Sequence, residues 1–115
     1  MTQLKTIIVD DEWLIRSELK LLLERHQKIS VVGEAGNISE AIQMIHDLEP
    51  DVIFLDIQMI NENSFQDFQK NDHSFKTIFL SVFDEKFTTN NNINVIESLL
   101  KPIDEAKLCN VIEKL

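Results

Sequence analysis

The feature that most constrains this chain is an alternation. Short apolar, β-branched runs take turns with stretches whose apolar residues recur at helical spacing. Ile7-Ile8-Val9 is uninterrupted, as in a strand buried on both faces. Ile15, Leu19, Leu22 and Leu23 then draw one face of a helix. Ile29 to Val32 reads as a second strand. Asn37 with Glu40 three residues later has the form of a capping box, opening a helix that carries Ile38, Ala41, Ile42, Ile45 and Leu48. Pro50 follows its end, and Val52 to Leu55 is the third and most apolar strand. Further on, Phe65 and Phe68 point to a short third helix and Ile78-Phe79-Leu80 to a fourth strand. A strand around Ile96 to Leu100 and a helix with Leu108, Val111, Ile112 and Leu115 close the alternation. Between the last two strands stand Thr88-Thr89-Asn90-Asn91-Asn92, poor helix formers all. The segment Lys86 to Asn94 is therefore expected to be short, frayed or mobile.

A strand-helix unit repeated five times predicts an α/β fold, a parallel sheet covered on both faces. The length of 115 residues suits one hydrophobic core, so residues 1–115 are expected to form a single domain without linkers. Asp and Glu number 20 against 11 Lys and Arg, an excess that repels a phosphate backbone and argues against nucleic-acid binding by this segment. The same charge could attract Mg2+ or a basic partner. Cys109 is the single cysteine, which excludes an internal disulfide and fits a reducing compartment. The apolar runs are too short to span a bilayer, and Met1 to Lys5 lacks a signal-peptide core. The expected location is the cytoplasm, away from membranes.

In a parallel sheet of this kind, chemistry gathers beyond the carboxyl ends of the strands. Four strand ends carry polar residues straight after their apolar runs: Asp10-Asp11, Asp56, Ser81 and Lys101-Pro102. Taken singly each has an ordinary explanation, as a helix cap, a turn residue or a solvated loop. Their coincidence at matching strand ends is harder to explain that way. Carboxylates brought together repel unless a cation sits among them, and a set of oxygen donors suits Mg2+. A hydroxyl and an ammonium alongside would complete a site for a phosphoryl group.

Ile7-Ile8-Val9-Asp10-Asp11-Glu12, Val52-Ile53-Phe54-Leu55-Asp56-Ile57-Gln58-Met59, Phe79-Leu80-Ser81 and Leu99-Leu100-Lys101-Pro102 together resemble a response-regulator receiver domain over essentially the whole chain. Asp84-Glu85, and Asn94 with Leu99-Leu100-Lys101-Pro102-Ile103, are similar to the receivers of LytTR-type transcription regulators. The resemblance implies a flavodoxin-like (βα)5 fold, doubly wound, with strand order 2-1-3-4-5. It implies Asp56 as phosphoacceptor from a sensor histidine kinase. It implies Mg2+ bound by Asp11, Asp56 and the backbone carbonyl of Gln58, with Asp10 acting mainly through a metal-bound water. Ser81 would hydrogen-bond a phosphoryl oxygen, Lys101 would pair with another, and the Lys101-Pro102 bond would be cis. Output would pass through dimerisation on the fourth helix, fifth strand and fifth helix, and DNA would be bound by an effector domain that this segment does not contain.

Four positions depart from the family pattern: Ile60 for proline, Ser64 for glycine, Val82 for a very small residue, and Ser98 for the aromatic at the usual switch position. With that aromatic missing, ordering of the stretch Asp84 to Asn94 is the expected route of signalling. The alternative reading is a pseudo-receiver, an interaction module that takes no phosphate. A Mg2+-dependent phosphohydrolase ranks last, since Gln58 stands where such enzymes usually carry a second carboxylate. His26, His46 and His73 lack metal-ligand spacing, Lys5, Lys20, Lys28 and Lys107 read as solvated, and Cys109 reads as packed. Trp13 follows the acidic cluster, which would place it near the site, but an ordinary packed indole is the preferred expectation.

Overall fold

The computed structural model describes residues 3–59, 75–82 and 95–115. The expected third helix, the Asn-rich segment, Ile60 and Ser64 lie outside the described residues. Each apolar run in them forms a strand: β1 (Leu4–Val9), β2 (Ile29–Ala35), β3 (Val52–Asp56), β4 (Lys76–Ser81) and β5 (Val95–Leu100). The helices are α1 (Trp13–Leu23), α2 (Ile38–Leu48) and α3 (Glu105–Glu113), and a 3-10 turn, Ile57–Met59, follows β3. The strands form one sheet in the order β2-β1-β3-β4-β5, every pairing parallel. This is the expected doubly wound order.

Side chains alternate across a strand, and here both faces are apolar. Ile8, Val52, Phe54, Ile78, Leu80 and Leu99 pack on one face with Leu19 and Leu23 of α1 and with Leu108, Val111 and Ile112 of α3. Ile7, Val9, Ile53, Leu55 and Phe79 pack on the other with Ala41 and Ile45 of α2. Burying each large side chain fully contributes about 2 kcal/mol relative to exposure. These two layers fix the sheet rigidly and leave its carboxyl edge to carry polar groups.

Local signals explain the helix boundaries. Asn37 caps α2, its side chain accepting the Glu40 N–H at 2.9 Å. Glu40 reaches back to the Gly36 N–H at 3.4 Å, closing the box one residue earlier than the usual form. Glu49 ends α2 in the left-handed conformation, with φ 47°. Asp104 caps α3 by accepting the Ala106 N–H at 2.9 Å. Lys28 is exposed, yet its ammonium bonds the carbonyls of Ile112 and Leu115, where a cation also complements the helix dipole. Among the described residues no helix is long and apolar enough to cross a membrane.

Two expectations need correction. β2 runs on through Gly33-Glu34-Ala35, beyond Val32, because its backbone keeps pairing with Ile7 to Val9 although the apolar run has ended. Trp13 is 68% exposed and is not a packed indole. It occupies the first position of α1, outside the stripe of Leu19 and Leu23 that meets the sheet.

Candidate functional site

β1, β3, β4 and β5 all deliver their last residues to the same edge. Asp10 directly follows β1, Asp56 ends β3, Ser81 ends β4 and Lys101 follows β5. The register pairs Val9 with Leu55, Asp56 with Leu80, and Ser81 with Leu100, so these ends lie level. Asp10, Asp11 and Asp56 each present a carboxylate oxygen, and the three atoms lie within 4.8 Å of one another. Asp10 and Asp56 are buried, whereas Asp11 is exposed.

The buried carboxylates are each held from two directions. Asp10 Oδ1 accepts the Glu12 N–H at 2.9 Å, and Asp56 Oδ1 accepts the Gln58 N–H at 3.0 Å. The second oxygen of each faces the Lys101 ammonium, which lies 2.6 Å from Asp10 Oδ2 and 3.2 Å from Asp56 Oδ2. Glu12 is more remote, at 3.9 Å. The Lys101 side chain is only 6% exposed, a position that alone would disfavour its charge. Burial does pull its pKa down, but hydrogen bonds and charge attraction from Asp10 and Asp56 outweigh it and raise the pKa above the ordinary lysine value. Lys101 is thus an ammonium at neutral pH. The Lys101 N–H also donates to the Ser81 carbonyl at 2.7 Å, tying the ends of β4 and β5 together. The Lys101-Pro102 peptide bond is cis.

Such an arrangement has a cationic side chain fixed beside a carboxylate, an acidic rim open to solvent at Asp11, and a neighbouring hydroxyl at the end of β4. It can hold a hard cation and a doubly charged oxyanion together. The model of the response regulator receiver domain matches residues 6–113 of the chain. The chain belongs to the response-regulator receiver family. Among curated relatives, the receiver is 40% identical over 114 residues to the transcriptional regulatory protein BtsR of Escherichia coli K12, covering 97% of this chain and 48% of that protein. It is 32% identical over 114 residues to the sensory transduction protein LytT of Bacillus cereus, covering 96% of this chain and 46% of that protein. The chain therefore spans about half the length of the curated relatives it matches, which are LytTR-type regulators. Among solved structures, the response regulatory domain of mrkE from Klebsiella pneumoniae aligns with a TM-score of 0.81 at 26% identity, covering 96% of this chain and 93% of that one.

The receiver gathers Asp10, Asp11, Asp56 and Lys101 at one point and sets Ser81 at the adjoining strand end. Ser98 is elsewhere: it pairs with Phe79 inside the sheet register and is exposed, beside a cleft that Lys107 and Asn110 also line. Val82 follows Ser81 and is 46% exposed. The sequence reading missed Arg16. Its Nη1 donates to the Asp10 carbonyl at 2.6 Å, and its Nε lies 3.4 Å from Glu34 on β2. The first turn of a helix disfavours a cation, so an arginine there without an acidic neighbour in the same turn was the available signal.

Proposed function

We propose that this receiver accepts a phosphoryl group on Asp56 from the phosphohistidine of a sensor histidine kinase, with Mg2+ held among Asp10, Asp11, Asp56 and the backbone carbonyl of Gln58. The observation that carries this reading is the group of three carboxylates within 4.8 Å, two of them sharing Lys101. The donor set fits the ion, being made of hard oxygen atoms only, with one carboxylate open to solvent. When bound, the ion supplies positive charge to the oxygens of the transferring group.

The chain's own residues do the rest. An Asp56 carboxylate oxygen attacks phosphorus, and a P–O bond forms as the P–N bond to imidazole breaks. The electron pair leaves with the imidazole nitrogen, which takes up a proton from solvent. The Gln58 N–H keeps the Asp56 carboxylate from rotating. Lys101 turns its ammonium to a phosphoryl oxygen, and the Ser81 hydroxyl bonds another. The product is the protein's own acyl phosphate, with no separate substrate turned over. The single charge of the Asp56 carboxylate becomes about two on the acyl phosphate, a net gain of about one negative charge beside Asp10 and Asp11, and that change drives the switch. In a longer cytoplasmic regulator the switch would control dimerisation and DNA binding by an effector domain, in line with the name of BtsR, a transcriptional regulatory protein.

Intact mass after incubation with acetyl phosphate and Mg2+ tests this reading. The expected result is one added phosphoryl group, absent in Asp56→Asn. The exposed Val82 beside Ser81 favours one competing reading, the pseudo-receiver, because a branched side chain there can narrow access to Asp56. A chain that binds Mg2+ but takes no phosphoryl group from acetyl phosphate or a phosphohistidine donor would establish it instead.

A further inference from the structure

Asp10 is the most firmly held residue of the pocket. Its N–H donates to the Ala35 carbonyl of β2 at 3.1 Å, and its Oδ1 accepts the Glu12 N–H. Its own carbonyl accepts the Arg16 guanidinium at 2.6 Å. Arg16 is in turn steadied by Glu34, 3.4 Å from its Nε, and Glu34 also lies 3.7 Å from Lys20. The guanidinium passes over Gly36, where an added Cβ would lie 3.4 Å from Nη1. By contrast, Asp11 is exposed, and among the described residues nothing bonds its carboxylate.

The Asp10 carbonyl and the Asp11 N–H belong to one planar peptide unit. Fixing the direction of that carbonyl fixes the plane, and with it the N–Cα axis about which the Asp11 side chain can turn. We propose that Arg16 is a positioning residue that aims Asp11 into the cation site by holding the Asp10–Asp11 peptide, with Glu34 on β2 setting Arg16 in place. The inference rests on the reading of the three carboxylates as a Mg2+ site. Its chemistry is that of an outer partner that orients a ligand without touching the ion.

The test is a Mg2+ titration of the full chain by calorimetry, checked by the fluorescence of Trp13, the single tryptophan, which stands two residues after Asp11. Arg16→Met is expected to weaken Mg2+ binding about tenfold, as loss of such outer partners does. At saturating Mg2+ its phosphorylation by acetyl phosphate should return to near the parent rate, so that the defect lies in the Mg2+ needed and not in the maximal rate. Arg16→Lys, whose single ammonium cannot hold both Glu34 and the Asp10 carbonyl in the same way, should recover only part of the affinity. A folded Arg16→Met with parental Mg2+ affinity would overturn the proposal while leaving the cation site standing. A parent chain that binds no Mg2+ would overturn the site and the proposal together. Should Arg16→Met fail to fold, Glu34→Ala decides in its place: weakened Mg2+ binding supports the proposal, and unchanged binding overturns it.

Discussion

Lys101 is the residue on which the pocket's stability turns. It is an ammonium with 6% of its side chain exposed, lying against Asp10 and Asp56. Removing it leaves two buried carboxylates facing each other without a cation. Lys101→Met is predicted to destabilise the metal-free protein by about 3 kcal/mol, measured by urea unfolding, and added Mg2+ should restore part of that loss. The raised pKa gives a second expectation. A group whose folded pKa exceeds its unfolded value stabilises fully below the unfolded value, about 10.4 for lysine, and that contribution disappears as pH rises through the folded value. Metal-free stability should thus hold through neutral pH and fall in alkali, and Lys101→Met should lack that component of the fall. The chain has no tyrosine to confuse the alkaline limb. The key residues of the pocket were legible because each directly follows or ends an apolar strand, where sequence position alone sets location. Arg16 was not, because its role depends on a contact between α1 and the backbone before it, and nothing in the spacing of apolar residues reports that.

At the scale of elements, the local signals are the ones that read cleanly. The Asn37-Glu40 pair marks the start of α2 by bonds made within four residues, so the sequence carries all of the needed information. Asn37→Ala is expected to cost about 1 kcal/mol in thermal unfolding. The end of β2 misread for the opposite reason: Gly33, Glu34 and Ala35 are held by pairing with β1, a long-range term that apolar runs do not signal. Trp13 misread because a large indole is usually packed, whereas here the helix phase turns it outward. β4 holds another feature that sequence could not show. Thr77 is 1% exposed, and among the described residues its Oγ1 has no hydrogen-bond partner. Thr77→Val is predicted to raise stability by about 1 kcal/mol, read as a higher urea midpoint with an unchanged slope.

At the scale of the whole molecule, the rigid two-faced sheet brings distant parts of the chain to one edge, and the acidic charge decides what can approach it. A formal charge of −9 should keep this segment from retarding duplex DNA in a gel shift at physiological salt, phosphorylated or not. Under the proposed function, any DNA contact would be made outside this segment, which spans about half the length of its curated relatives. Everything proposed for the switch turns on one group, the Asp56 carboxylate, among three acids whose oxygens lie within 4.8 Å of one another. Borohydride reduces an aspartyl phosphate to homoserine, so reduction of the acetyl phosphate-treated chain followed by peptide mass spectrometry reports which acid took the group. Phosphorylation at Asp56 leaves homoserine at position 56 and at neither position 10 nor position 11. Homoserine at Asp10 or Asp11, or none at all in a chain that binds Mg2+, would contradict it.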